Sequence, residues 1–294
     1  MGNIFNKKKD KGRFKSQSNR VFFNIIKQKK TVISLFILFL LISMALFAPL
    51  LTKYNPIKQN LAIAFEKPFS RDHILGTDEL GRDLFSRIAY GARLTIGTSI
   101  ITIVIAIILG STLGIIAGYY GRFFDNLIMR FIDILMTFPC IVLGIIIVSL
   151  LGPSLQNAAL AVAIYNIPVF ARAARINVLE IKKNEYIEIS QFLNLGDFFI
   201  IMNHIIPNII SIIFILGTLN IGNAVVIISS LGFLGMGAQP PFPEWGAILS
   251  SGRQYLLLAP HIIIIQGFFI FMFVLSINLI GDGLRDALDP NLQL

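Results

Sequence analysis

A chain of 294 residues with 55% hydrophobic and only 14% charged residues is too apolar for a soluble domain. Its net charge of +9 is confined to the first thirty residues, which hold ten Lys or Arg against one Asp, whereas the remainder balances fifteen of each sign. That distribution is a terminal tag and not a nucleic-acid surface; it implies an N-terminus retained in the cytoplasm, beside anionic membrane lipid.

Residues 1–30 therefore read as a basic cytoplasmic tail, and residues 31–51 as the first transmembrane helix, too long for a signal-peptide core. Residues 52–91 read as a long polar external loop. Leu94 to Tyr120 is the second uncharged run, and Gly121 to Asp133 is a short charged loop with Arg122, Asp125, Arg130 and Asp133. Ile134 to Ala171 then carries no charge over 38 residues. One helix of that length would measure about 57 Å, nearly twice the hydrocarbon thickness, so Gly152-Pro153-Ser154 divides it into a third and a fourth span. A fifth span starts near Asn208 and a sixth near His261. The expectation is an all-α integral membrane protein of six transmembrane helices in the plasma (inner) membrane. Residues 92–284 form a five-helix core, residues 285–294 a cytoplasmic tail, and both termini are cytoplasmic. The spacing of Gly110, Gly114 and Gly118 predicts a helix face that meets another helix closely. Cys140 is the one cysteine, so no disulfide forms within the chain.

The polar stretch at 172–207 breaks this pattern and is expected to be a cytoplasmic helix–turn–helix. Tyr186, Ile189, Phe192 and Leu193 share one face of a short helix, with Glu185, Glu188 and Gln191 off that stripe. Asn194-Leu195-Gly196-Asp197 reads as a turn, since Asn194 and Gly196 tolerate left-handed backbone and Asp197 can cap the next helix. Such a segment fits a groove in a soluble partner, or else rests in lipid headgroups. Interfacial helices carry a basic polar face. Here Lys182 and Lys183 are offset by Glu185 and Glu188, which favours the protein partner.

The chain lacks the Gly-x-x-x-x-Gly-Lys-Ser/Thr phosphate loop, so it does not bind ATP in that manner. The expected span cores carry no ionisable group of the kind that couples transport to an ion. His73, His204 and His261 lie far apart at expected membrane boundaries, and nothing pairs a nucleophile with a base. No metal, cofactor or catalytic residue is expected; the chain is not an enzyme.

In the 71–95 stretch, Gly76-Thr77-Asp78 offers a turn and a helix cap, and Leu80, Leu84, Ile88 and Gly91 fall at helical spacing. This predicts a helix lying on the outer surface, with Arg82, Asp83 and Arg87 on a solvated face. The stretch, through Gly91-Ala92-Arg93-Leu94-Thr95, closely resembles the signature of the dipeptide/oligopeptide/nickel permeases of ATP-binding-cassette (ABC) importers. Three others agree with it: Arg130-Phe131-x-Asp133-Ile134-Leu135-Met136-x-Phe138-Pro139, Phe233-Leu234-Gly235 through Pro243-x-Trp245-Gly246, and Gly281-Asp282-Gly283 through Asp289-Pro290. The 188–207 stretch resembles these permeases' EAA loop, with Glu188 at the acidic position, Asn194 at the glycine and Pro207 at the proline. Relatives often carry a Glu shortly before Phe-Leu-Gly, where this chain has Ile228.

The resemblance implies a permease subunit that imports peptides; nickel or another small solute is the alternative within the family, and a channel or scaffold the alternative outside it. The implied partners are a second permease, two ATP-binding subunits and an external substrate-binding protein. The implied ATPase-coupling residues are Glu185, Tyr186, Glu188, Ile189, Phe192, Leu193, Asn194 and Gly196.

Overall fold

The computed structural model describes residues 28–70 and 72–288; the basic tail before residue 28, Arg71 and the last six residues lie outside it. Nine helices of eight residues or more organise the described chain: α1 Lys29–Leu46, α2 Leu84–Tyr120, α3 Arg122–Met136, α4 Cys140–Leu151, α5 Leu155–Ile181, α6 Glu185–Phe192, α7 Asp197–Phe233, α8 Trp245–Gly252 and α9 Pro260–Leu288. No strand occurs among the described residues. Five of the helices, α1, α2, α5, α7 and α9, are long and apolar enough to cross a membrane, and α3 with α4 makes a sixth crossing if the bent pair is one span.

Helix packing shows why that pair must cross. Gly110 faces Ile167 and Phe170, Gly114 faces Ala171 and Ala174, and Gly118 faces Arg175 and Val178. The numbers rise together, so α2 and α5 run parallel, and the chain between them has to return to the starting side. It does so through α3 and α4, which meet at 92°. The expected charged loop at 121–133 is thus a helix, and the third span does not begin at Ile134. The break falls at Thr137-Phe138-Pro139, where Pro139 offers no amide hydrogen and turns the preceding residue away from helical backbone. The acids of α3 are matched by basic residues of α5: Asp125 to Arg175 and Asp133 to Arg172.

The helices also outrun the expected spans. α2 begins at Leu84, so the signature stretch is not a separate surface helix; its second half is the first turns of α2. α7 begins at Asp197 and passes through a π-helical turn at Ile201–Ile205. One apolar core joins α2, α5 and α7 with Ile187 of α6, and a second joins α1, α2, α8 and α9 around Trp245. Gly281 meets Leu219 and Gly222 meets Ile277, so α9 runs antiparallel to α7. Gly283 meets Thr31, which brings the start of α1 beside the end of α9. The bundle consequently has two distinct ends. One carries α6 and the ends of α1 and α9; the other carries the 52–83 segment and the 234–259 segment.

Candidate functional site

At the first end, α6 stands out from the bundle on two turns. Asn184 precedes it, and Glu185 and Glu188 occupy its first turn, where the helix N-terminus favours negative charge. After Phe192 the chain closes a Schellman turn: the Leu195 amide donates to the Ser190 carbonyl at 3.1 Å and the Asn194 amide to the Gln191 carbonyl at 3.0 Å. Asn194 sits in the left-handed region at φ 56°, the conformation that glycine would otherwise supply. Gly196 does not share this role; its φ is −56° and a Cβ there would meet open space. Nor does Asp197 cap α7, because Gly196 holds the cap position and Asp197 is the first helical residue. Its carboxylate accepts a hydrogen bond from the Tyr119 hydroxyl at 2.8 Å instead.

The apolar stripe read from the sequence is brought together and left uncovered. Tyr186, Ile189, Phe192 and Leu193 are all exposed, Phe192 at 95%, and Leu195, Phe198 and Phe199 extend the patch. The opposite face of α6 is anchored by Ile187, which is fully buried among Val178, Ile200 and Ile205. Helical spacing did not reveal Ile187, because it sits beside Tyr186 in an apolar segment where either residue could face inward. Two further contacts tie the platform to the bundle. Lys182 donates to the Tyr119 carbonyl at 2.6 Å, and the Tyr186 ring lies 5.7 Å from that of His204 in the π turn of α7.

The other end is a lid. The charges expected on a solvated face are buried: Asp78, Arg82, Asp83 and Arg87 are each at most 6% exposed. Arg82 and Arg87 converge on Asp78 at 2.6 and 3.1 Å, and Asp83 caps α2 by accepting from the Ser86 amide at 2.7 Å while pairing with His73 at 2.9 Å. The helix cap is therefore Asp83 and not the Gly76-Thr77-Asp78 turn. The lid meets the rest of the end, with the Phe65 ring tilted against that of Tyr255 at 4.9 Å. Beneath it, Glu244 caps α8 through the Ala247 amide at 2.9 Å and accepts from Thr95 of α2 at 3.1 Å. Burial pushes the Glu244 carboxyl above the ordinary carboxylate range. Trp245 completes the joint, its indole donating to the Ile88 carbonyl at 3.1 Å.

The fold is a polytopic helical bundle whose α6 end presents an exposed apolar face on a buried anchor. Residues 110–294 match the family described as the inner membrane component of binding-protein-dependent transport systems, and residues 16–68 match the N-terminal transmembrane domain of oligopeptide transport permease C. The chain belongs to this family of ABC-importer permeases. It is 45% identical over 272 residues to the dipeptide transport system permease protein DppC of Alkalihalophilus pseudofirmus, covering 92% of this chain and 89% of that one. It is 43% identical to the glutathione transport system permease protein GsiD of Pectobacterium atrosepticum, covering 88% and 86%. Among solved structures, an inward-facing MetNI methionine ABC transporter aligns with a TM-score of 0.55 at 18% identity, over 69% of this chain and 96% of that one, a likeness of fold alone. The protein is thus a multi-pass permease subunit of an inner-membrane transport system that depends on a binding protein.

Proposed function

We propose that this permease imports short peptides, paired with a second permease, two ATP-hydrolysing subunits on the cytoplasmic face and an external binding protein. Peptide cargo rests on the two relatives, whose names specify dipeptide and glutathione, itself a short peptide. The basic tail at residues 1–30 keeps the α6 end in the cytoplasm under the positive-inside rule. That end then faces the ATPases. The division into tail, first helix, external loop and core follows the same orientation, with the loop ending at Asp83, where α2 begins.

The observation that carries the coupling role is the α6 platform: Tyr186, Ile189, Phe192 and Leu193 exposed on one side, Ile187 locked on the other. An ATPase groove closing on that face moves α5 and α7 with it, because Ile187 sits in their shared core and Tyr119 of α2 is bonded to both Lys182 and Asp197. Glu185 and Glu188 border the patch with negative charge, which suits a protein groove better than anionic headgroups. Asn194, at positive φ, sets the angle at which it is presented.

The test uses the assembled transporter. Burying an aromatic side chain such as Phe192 is worth about 1.5–3 kcal/mol, so Phe192→Ala should weaken ATPase-subunit retention about tenfold or more. Glu188→Lys should act on the same contact through charge. Peptide uptake should fall in both variants, while capture of peptide by the external binding protein stays as in the wild type. Unchanged assembly and uptake in both variants would show that α6 is an interfacial helix with no coupling role.

A further inference from the structure

A cavity of about 720 Å³ opens at the lid end, between Thr52–Ile57, the Tyr90–Leu94 turn of α2 and Phe242–Pro243. Its walls are largely aromatic and aliphatic, with Tyr54, Tyr90, Leu94 and Phe242 among them. Two cations line it, Lys53 and Arg93, and no carboxylate does. The two differ in what already occupies them. Lys53 lies 3.5 Å from Asp72 and over the Tyr54 ring. Arg93 has no hydrogen-bond or ion-pair partner among the described residues, whereas Arg82 and Arg87, earlier in the same stretch, are both matched by Asp78.

A volume in this range with apolar walls and one or two convergent charges has the make-up of a small-molecule site. A free guanidinium presents a planar fork that fits a carboxylate through two parallel hydrogen bonds. With no acid in the lining, the charged end of a ligand that the cavity itself can pair is an anion, and the ammonium of a short peptide is left to the solvent at the open mouth. We infer that this cavity is a station for the cargo on its way in: Arg93 receives the C-terminal carboxylate of a short peptide, and Tyr54, Tyr90 and Phe242 receive its apolar side chain. The inference rests on the peptide-import reading above. Phosphate on an anionic lipid would offer Arg93 similar chemistry, so the experiment separates the two.

The probe is the dipeptide Ala-Phe and its C-terminal amide, binding to the assembled transporter in neutral phosphatidylcholine nanodiscs without the external binding protein. The wild type should bind the acid about tenfold or more better than the amide, the size of one charge-assisted pair. Arg93→Gln should erase that preference, and Arg93→Lys, which keeps the charge and loses the fork, should keep part of it. With the binding protein restored, Arg93→Gln should raise the KM for Ala-Phe uptake by a similar factor. Arg93 is exposed and has no partner among the described residues, so its replacement should leave folding unaffected. Equal affinity of the wild type for acid and amide would overturn the inference. So would an effect of Arg93→Gln confined to nanodiscs containing phosphatidylglycerol, which would make the anion a lipid headgroup, or loss of the second permease from the variant assembly, which would make Arg93 an interface residue. If the complete wild-type transporter imports no short peptide, the peptide-import reading fails as well. If it imports Ala-Phe and Arg93→Gln does so with unchanged KM, the cavity assignment alone fails.

Discussion

Glu244 takes its hydrogen bonds from neutral groups, the Thr95 hydroxyl and the Ala247 amide, in a site closed to water. Burial favours the protonated form, and the carboxyl titrates above its ordinary value. The consequence for stability has a definite sign. Between the unfolded and the folded pKa, the native protein holds a proton that the unfolded chain has released. Stability therefore falls as pH rises through that window and is level below it. Glu244→Gln keeps an acceptor for the Ala247 amide and removes the titration. Its thermal midpoint in detergent should decline less steeply than the wild type's as pH rises above the ordinary carboxylate range. Equal slopes would show that Glu244 is ionised in the folded protein. Residue type alone disclosed part of this scale. Asn194 was legible as a left-handed turn residue because few side chains accept positive φ. Glu244 was not, because an acid beside prolines and a tryptophan reads as a loop residue until α2 is seen to cover it.

Among the elements, the α2–α5 pair is the most extensive contact in the molecule, and it depends on glycine. A Cβ at Gly114 would stand 2.2 Å from the Ala171 carbonyl oxygen and 2.8 Å from the Ala174 Cβ, both on a backbone that cannot yield locally. Gly114→Val should therefore push the helices apart at a cost of about 1–3 kcal/mol and lower the thermal midpoint of the purified subunit. Gly97 lies on the same helix with nothing within 4 Å of a Cβ, so Gly97→Ala should be neutral or slightly stabilising. Similar losses in both variants would remove the packing argument. The glycine stripe was readable from spacing, since small residues every fourth position have few other uses in lipid. The α3–α4 bend was not. Hydropathy registers a charged stretch as a loop, and only the partners Arg172 and Arg175 on α5 show that Asp133 and Asp125 belong to a packed helix. The lid was hidden for the same reason. Arg82, Asp83 and Arg87 read as solvated until Asp78 and His73 are placed beside them, because burial of charge depends on partners that sequence distance conceals.

For the whole molecule, the architecture makes sidedness a single binary variable. His261 reaches the Thr77 carbonyl at 3.4 Å and the Phe65 ring packs against Tyr255, so the 52–83 and 234–259 segments share one end. Thr31 against Gly283 places both described chain ends on the other, together with α6. An even number of crossings then requires α3 and α4 to act as one, as the parallel course of α2 and α5 already demands. Single cysteines in a Cys140→Ala background should report this. Positions Gln59 and Gln254 are exposed at the lid end, and Asn184 is exposed at the α6 end. With the basic tail inside, an impermeant maleimide added to intact cells should label Gln59→Cys and Gln254→Cys, and should label Asn184→Cys only after permeabilisation. The reverse pattern would invert the orientation and put α6 out of reach of any cytoplasmic ATPase. Opposite labelling of Gln59→Cys and Gln254→Cys would instead mean that α3 and α4 do not cross, leaving five spans and placing the lid on one side with the Glu244 cap on the other. That outcome is incompatible with the 3.1 Å bond between Thr95 and Glu244, so the maleimide pattern also tests the joint on which the lid end is built.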